Sequence, residues 1–529
     1  MKICFVSIES GVITVGFRKM AALARELNPE VEVCYVVPTN QMSFSSFLFG
    51  KSSVELPKSE IELISRHLAQ SGLVAFSSMT LFADLTKEII AGIRIQNPDT
   101  YILWGGIHPI VDPCDAIKHA DAICVGEGET VFRDFLSNFM ENKAYTETKN
   151  FWFNNQGNII KNGFLPLQTS QEMAAFPLPL YADNELIYQN GSGFVPLIED
   201  EYRKLNGISY HTVWSIGCPY NCAYCSNSKF INNDRNYRKV RHTPVDYIIS
   251  EVSSAIEKHP YISAVIFHDD SFIGLPVPVL REFAEAWKKR INIGFSIVGA
   301  LPGFVTREKM EILLDAGMRR IKMGVQSGSD AMLTFYKRPA NAAVTNRAIS
   351  VISEFTDHMI PPTYDIILDN PIETRQDVID SLRFVYAMPR PYNLNIFSLR
   401  LMPNTELASR LAEMKITHPT ISEKNYVEVK PSLANILMFA LDIVKPSERI
   451  FQYLLKYAKP YREEQPEFPM LLFVVRAIYL FKRGLYHLKF LEFSYFPGII
   501  GKGGYMLWRW GILAYHHKYV LEKYRRSLI

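Results

Sequence analysis

Three cysteines, Cys218, Cys222 and Cys225, fall within Ser-Ile-Gly-Cys-Pro-Tyr-Asn-Cys-Ala-Tyr-Cys-Ser-Asn (215–227). Thiols this dense in a turn-forming segment exceed what core packing needs and read as metal ligands. Gaps of three and then two residues let a single loop wrap one face of an iron–sulfur cluster. A structural zinc site would want a fourth Cys or His at short spacing, and the next candidate, His242, lies seventeen residues beyond Cys225. A [4Fe–4S] cluster held by three thiolates keeps one iron open, so the loop implies chemistry at that iron and not scaffolding alone. The other cysteines, Cys4, Cys34, Cys114 and Cys124, are scattered, mostly in apolar runs. They read as core residues, which leaves a zinc site or a disulfide as the lesser alternative for the loop. Cysteines without a pairing pattern, and no recognisable leader, point to a reducing cytoplasm.

The elements that must position such a site come in two series. In residues 1–142, strand-like runs at Ile3–Ile8, Val31–Val37, Leu73–Ser77, Tyr101–Trp104 and Ala122–Val125 alternate with helical periods. This is the pattern of a Rossmann-like, doubly wound parallel sheet, which binds ligands at the carboxyl ends of its strands. The loops there are Ser77-Ser78-Met79-Thr80, Gly105-Gly106-Ile107-His108 and Gly126-Glu127-Gly128-Glu129. All are small, polar or glycine-rich where a large cofactor needs close backbone approach, although each taken alone is an ordinary turn.

Residues 143–205, with scattered Asn, Gly and Pro and little periodicity, read as an irregular connector. A second βα series fills 206–415, with strands expected at Tyr210–Ser215, Ala264–His268, Gly294–Val298, Arg320–Gly324, Tyr364–Leu368 and Asn395–Leu399. Polar residues gather at the strand ends: Asp269 and Asp270 after the second, Gln326 and Ser327 after the fourth, Asp369 and Asn370 after the fifth. Paired carboxylates accept from an ammonium group, and Gln with Ser hydrogen-bonds a diol.

The cysteine loop, with Tyr224 just before its third cysteine, resembles that of the radical SAM enzymes. The resemblance implies a partial (β/α)6 barrel, a [4Fe–4S] cluster on Cys218, Cys222 and Cys225, and S-adenosyl-L-methionine chelating the open iron. It also implies SAM contacts from Tyr224, Asp269, Asp270, Gln326, Ser327, Asp369 and Asn370. Two positions depart from the usual pattern: Gln326 stands where Glu is common, and Asp369-Asn370-Pro371 replaces a Gly-rich turn. The glycine-rich loops ahead of the barrel resemble the cobalamin-binding domain of one branch of that family, which implies cobalamin contacts from Ser77, Ser78, Thr80, Gly105, Gly106, His108, Gly126, Glu127, Gly128 and Glu129. The Asp-x-His-x-x-Gly signature that delivers a histidine to cobalt in cobalamin mutases is absent. His108 is therefore expected near the corrin or its tail and not on the metal. The implied reaction is methylation of an unactivated carbon through a 5′-deoxyadenosyl radical and methylcobalamin, with an external reductant of flavodoxin or ferredoxin type. Cyclisation, ring contraction or oxidation without methyl transfer is the alternative within the class, and a cobalamin sensor with an inert barrel the alternative outside it.

At 529 residues and 48% hydrophobic composition the chain can bury two or three cores. Its net charge of +3 hides an asymmetry, because residues 470–529 carry ten Lys/Arg against Glu492 and Glu522. Basic residues interrupt every apolar stretch there before it reaches membrane-spanning length. From residue 416 onward a mostly helical region is expected. Within it Val474, Ile478, Phe481, Leu485 and Leu488 form one apolar face, with Arg476 and Arg483 opposite, despite Gly484. Packing of that face on the protein itself is the first reading, and contact with a membrane surface or an apolar, lipid-like substrate the second. A nucleic-acid partner is disfavoured, since the basic residues are interleaved with Leu, Ile and Phe.

Overall fold

The computed structural model describes residues 1–38, 48, 54–179, 184–493 and 498–527. The first sheet is built on five parallel strands: β1 (Ile3–Ile8), β2 (Glu32–Val36), β3 (Leu73–Ser78), β4 (Tyr101–Gly105) and β5 (Ala122–Cys124). They lie in the order β5–β4–β3–β1–β2, with helices between them. Continuous apolar runs form these strands because both faces are covered; every residue of β1 is buried. Phe5, Phe17, Tyr35 and Phe135 pack on one face, and Ile64, Ile89 and Trp104 on the other. The order reverses at β1 and β3, so the crevice between their carboxyl ends is the expected ligand position.

The stretch 143–205 is not an irregular connector. A hairpin of β6 (Phe151–Asn155) and β7 (Asn158–Lys161) joins β5 antiparallel, while β8 (Glu185–Gln189) pairs parallel with β2 and antiparallel with β9 (Gly193–Pro196). The sheet therefore has nine strands. A buried ion pair fixes the far edge: Arg18 Nη1 lies 3.0 Å from Glu185 Oε1, and Arg18 Nε donates to the Val12 carbonyl at 3.0 Å.

A second sheet contains six parallel strands in sequence order: β10 (Ser209–Thr212), β13 (Ala264–Phe267), β14 (Gly294–Ala300), β15 (Met318–Gln326), β16 (Thr363–Leu368) and β17 (Asn393–Ser398). β10 and β17 are its two edges, so the sheet is an open arc. Crossover helices cover its outside. Val277–Arg290, for example, buries Leu280, Phe283, Ala284 and Trp287 at helical spacing against Phe267 and Phe295. Between β10 and β13 runs a small ladder of β11 (Ser215–Ile216) and β12 (Arg241–His242), which brackets the cysteine loop.

The C-terminal helices serve the open arc. Pro469–Lys489 lies along β17 with its polar face inward: Tyr479 OH donates to the Leu394 carbonyl at 2.5 Å, Lys482 Nζ to the Tyr392 carbonyl at 2.9 Å, Arg483 Nη1 to Asn395 Oδ1 at 3.0 Å, and Arg476 Nη2 to the Val427 carbonyl at 2.7 Å. An edge strand presents acceptors that need donors, and these side chains supply them. The expected packing is thus reversed, and Val474, Ile478, Phe481, Leu485 and Leu488 face outward at 47–68% exposure. At the other edge the helix Gly498–Arg509 meets the helix Glu199–Asn206 ahead of β10, with Arg203 stacked 3.9 Å over the Tyr505 ring. Among the described residues no helix is long and apolar enough to cross a membrane.

Candidate cofactor site

The ladder of β11 and β12 closes the base of the cysteine loop, and the Cys218 amide donates to the Tyr237 carbonyl at 3.1 Å. Gly217 has φ +109°, and a Cβ there would sit 2.6–2.7 Å from the Lys239 and Tyr237 carbonyls, so only glycine lets the chain turn into the loop. Asp269 anchors it from β13, accepting from the amides of Trp214 at 3.2 Å and Ser215 at 2.5 Å and from the Ser215 hydroxyl at 2.6 Å. Of the expected carboxylate pair, Asp269 thus turns to the loop backbone. Asp270 accepts from Tyr237 OH at 3.4 Å and acts on the sulfurs electrostatically.

Burial pushes the Cys218 and Cys225 thiols up to about 12, and the neighbouring cysteines and Asp270 add to the rise. Three thiolates here need positive charge beside them. Their spacing fits a cluster better than a single ion. Among the described residues the one Cys/His/carboxylate trio whose ligand atoms close to within 4.8 Å is Cys4, Glu32 and Cys34, so Cys218, Cys222 and Cys225 stand further apart than zinc–sulfur bonds of about 2.3 Å allow. Cys4 and Cys34 themselves lie in the core, each thiol 3.7 Å from Glu32.

Arg338 is a buried cation beside the sulfurs. It is 7% exposed, donates to the Gly324 carbonyl, and places Nη1 3.8 Å from Cys222 Sγ and 3.4 Å from Tyr224 OH. A Cβ on Gly324 would lie 2.5 Å from Gln326 Nε2 and 3.1 Å from Arg338 Nη2, so the Gln326 amide and the guanidinium stand side by side. Ser327 bonds Ser381 Oγ at 3.1 Å. Asp369 accepts from Ser398 Oγ at 2.6 Å, Asn435 Nδ2 at 2.7 Å and the Lys430 amide at 3.0 Å. Asn370 donates to Tyr336 OH at 2.9 Å. Ser327, Asp369 and Asn370 are therefore buried in protein contacts, whereas Tyr224 and Asp270 flank the cysteines and Gln326 stands beside Arg338.

The N-terminal loops meet the segments that flank this loop. Asn233, on the helix Asn227–Asn233 after Cys225, donates to the Val125 carbonyl at 3.1 Å. Arg241 of β12 forms an ion pair with Glu127 and donates to the Gln168 carbonyl at 2.9 Å. Asn404, after β17, donates to the Val111 carbonyl at 3.2 Å. The carboxyl ends of both sheets thus converge. In the first sheet's crevice, Glu9 at the end of β1 accepts from the Met79 amide at 2.8 Å, and burial pushes its carboxyl up to about 8. Thr80 Oγ1 and His108 Nδ1 are buried without a hydrogen-bond partner among the described residues.

Residues 212–385 match the family described as the radical SAM superfamily. The segment with the cysteine loop is a radical SAM domain. An uncharacterized methyltransferase of Pyrococcus horikoshii is 23% identical over 327 residues, 61% of this chain and 64% of that protein, so the match spans a little under two thirds of the relative. The structure of the radical S-adenosylmethionine methyltransferase TsrM from Kitasatospora setae, with cobalamin and a [4Fe–4S] cluster bound, superposes with a TM-score of 0.60 at 15% identity, over 78% of this chain and 75% of that one. OxsB, a cobalamin-dependent S-adenosylmethionine radical enzyme with aqua-cobalamin and S-adenosylmethionine bound, gives 0.60 at 16% identity, over 100% of this chain and 80% of that one. At these identities the likeness is one of fold.

Within the radical SAM domain, sequence reasoning missed Arg338, Tyr237 and Arg241. Their signal was weak, because each becomes a neighbour of the cysteines or of Glu127 only through folding. Several glycines of the first sheet answer to internal packing. Gly106, at φ +88°, would bring a Cβ within 2.8 Å of the Ser78 backbone, and one on Gly126 would lie 3.1 Å from Asn150. A Cβ on Gly128 would meet Cys124 Sγ at 3.2 Å, and one on Gly105 would lie 3.7 Å from the Phe76 carbonyl. Ser78 Oγ accepts from Trp104 Nε1 at 2.9 Å, Ser77 lies beneath Gly106, and burial pushes the Glu129 carboxyl up. His108 bonds Asp115 Oδ2 through Nε2 at 3.3 Å and lies 5.0 Å from the Trp104 ring, which holds its imidazole inside the domain.

Proposed function

We propose that this radical SAM protein uses cobalamin to methylate an unactivated carbon, or a similarly inert centre, of a small-molecule or lipid-like substrate. The observation that carries the reading is the joining of the helix and strand that flank the cysteine loop to the carboxyl end of the first sheet, through Asn233 to Val125 and Arg241 to Glu127. Two ligand-binding ends that face one another suit two cofactors acting on one substrate. The naming of the Pyrococcus relative as a methyltransferase and the fold shared with TsrM and OxsB support the same reading.

Cys218, Cys222 and Cys225 would hold the [4Fe–4S] cluster, and the crevice beside Glu9, Ser77 and Thr80 the cobalamin. When bound, the cluster with S-adenosylmethionine supplies one-electron bond cleavage, and cobalamin supplies a carrier for the methyl group. The chain provides the setting. Arg338 offsets the negative charge of the thiolates in a low-dielectric wall formed with Tyr220, Leu301 and Ala340. Asp270 stands as an acceptor for an ammonium group, with the Tyr237 hydroxyl fixing its orientation. Gln326 offers both an amide donor and an acceptor next to Arg338. A low-potential reductant of flavodoxin or ferredoxin type completes the reading as partner.

Anaerobic reconstitution followed by mass analysis of the products tests it. Turnover is expected to yield S-adenosylhomocysteine and 5′-deoxyadenosine together, with the substrate gaining one methyl group. A product formed without that gain would replace methylation by cyclisation, ring contraction or oxidation. Formation of neither nucleoside would point to a sensor.

A further inference from the structure

Cys4, Glu32 and Cys34 form a compact group near the amino ends of β1 and β2, away from the crevice at their carboxyl ends. Cys4 pairs with Glu32 across the two strands, and Cys34 follows two residues further along β2, so strand alternation puts all three side chains on one face. Cys4 Sγ lies 3.6 Å from Cys34 Sγ, and each sulfur lies 3.7 Å from Glu32 Oε1. The three atoms make a nearly equilateral triangle. A point at its centre is about 2.1 Å from every corner, close to the zinc–sulfur distance of about 2.3 Å and the zinc–carboxylate distance of about 2.0–2.2 Å. A disulfide does not fit the same pair. With a two-residue offset between neighbouring strands the cysteine Cα atoms stand about 8 Å apart, beyond the reach of a bridge.

We propose that Cys4, Cys34 and Glu32 bind a zinc ion, with water completing its coordination. Two thiolates select a thiophilic metal, and the added carboxylate suits zinc within that class. The outer contacts are already in place. His67 Nε2, on the helix Lys58–Leu68, donates to Glu32 Oε1 at 2.7 Å, and Lys2 Nζ lies 3.3 Å from Glu32 Oε2. The His67 hydrogen bond, aided by the charges of His67 and Lys2, holds the Glu32 carboxyl down at about 2 against the effect of burial. Burial pushes the Cys34 thiol well up, and Cys4 and Glu32 add to the rise, so its proton leaves only for a cation placed against the sulfur. Binding converts one zinc ion and two thiols into a dithiolate complex, with two protons released to solvent and no electron moved. Glu32 and His67, 22 and 27% exposed, give the ion a way in to the two fully buried cysteines. The ion clamps β1 to β2 and, through His67, to the helix that covers them. The proposal stands independently of the reaction proposed above.

Equilibrium dialysis of the full chain, with its cluster reconstituted, against zinc chloride counts the ion, and X-ray absorption at the zinc edge reads its ligands apart from the iron. One zinc per chain is expected, with two sulfurs at about 2.3 Å and the remaining ligands oxygen at about 2.0–2.2 Å. Affinity should rise with pH, because protons are displaced. Cys34→Ser is expected to weaken binding about 100-fold or more, since even an outer-shell change costs about 10- to 100-fold. Glu32→Gln keeps the size of the side chain and should weaken binding about tenfold or more, which separates loss of a ligand from loss of the fold. No retained zinc, a zinc shell of three or more sulfurs, or retention that survives both substitutions would overturn the proposal.

Discussion

The cysteine loop and the glycine-rich loops of the first sheet meet at one interface, and they are built on opposite plans. In the cysteine loop the fixing contacts come from outside it: Asp269 holds its entry, Tyr237 receives the Cys218 amide, and Gly217 admits the turn. Those contacts leave three sulfurs, Asp270 and Arg338 gathered without a full set of mutual partners. In the glycine loops the contacts stay within the first sheet and its own connections, with Gly106 against Ser78, Gly126 against Asn150 and Ser78 accepting from Trp104. A site whose support lies outside itself keeps its functional atoms free. A loop that is its own support gives shape to a crevice and leaves few groups to bind with.

The largest effect should come from the cysteines. Cys218→Ala, Cys222→Ala or Cys225→Ala is each expected to abolish reductive cleavage of S-adenosylmethionine, because two thiolates do not hold the cluster with one open iron. A variant that still formed 5′-deoxyadenosine at the wild-type rate would remove the loop from the chemistry. Single substitutions of Gly105 or Gly128 to Ala should be far milder, and a loss as complete as that of a cysteine would erase the contrast between the loops.

Next is Arg338. Arg338→Gln keeps a donor but removes the charge beside Cys222, and activity or cluster retention is expected to fall about 10- to 100-fold. The reduction midpoint of the reconstituted cluster should move negative, since a nearby cation favours the added electron. An unchanged midpoint would show that Arg338 acts only on packing.

The interface itself is probed by Glu127→Gln, which leaves Arg241 without its carboxylate where both side chains are 14% exposed. Stability should fall by about 2 kcal/mol, and a double-mutant cycle with Arg241→Met should recover most of that loss as coupling. Additive effects would mean that the two sheets are joined elsewhere.

A pH-dependent effect concerns Glu9, whose carboxyl is raised from 4.5 to about 8 by burial, with the Met79 amide opposing. A carboxyl raised on folding binds its proton more tightly in the native state, so its contribution to stability is present below pH 4.5 and is lost as pH rises through about 8. Glu9→Gln should flatten that part of the stability profile of the cofactor-free protein and match wild type at low pH. An unchanged slope would place the Glu9 carboxyl in water.

Much of this arrangement was legible in the sequence. The five parallel strands of the first sheet and the six of the arc fall close to their expected positions, because strands buried on both faces are written as apolar runs. The hairpins in 143–205 escaped for the opposite reason: β7 and β9 are edges with no fully buried residue, so they show no clear alternation. Their turns carried the signal. Gln156 and Gly157 both have positive φ within Asn155-Gln156-Gly157-Asn158, and Asn190-Gly191-Ser192 joins β8 to β9. Hydropathy identified the two faces of Pro469–Lys489 but not which of them points inward, since that depends on the acceptors β17 leaves open. Arg338 was invisible as a site residue because its relation to Cys222 is wholly tertiary.

The central claim is that cluster and cobalamin share one interface. It is tested most directly by electron paramagnetic resonance of the anaerobically reconstituted protein, with the cluster reduced and cobalamin held as cobalt(II). Two paramagnetic centres bound at converging sheet ends should interact, so the cobalt(II) signal is expected to be broadened and to relax faster with the cluster reduced than with it oxidised. Stoichiometric loading of both centres, with a cobalt(II) spectrum and relaxation rate indifferent to the state of the cluster, would contradict the account.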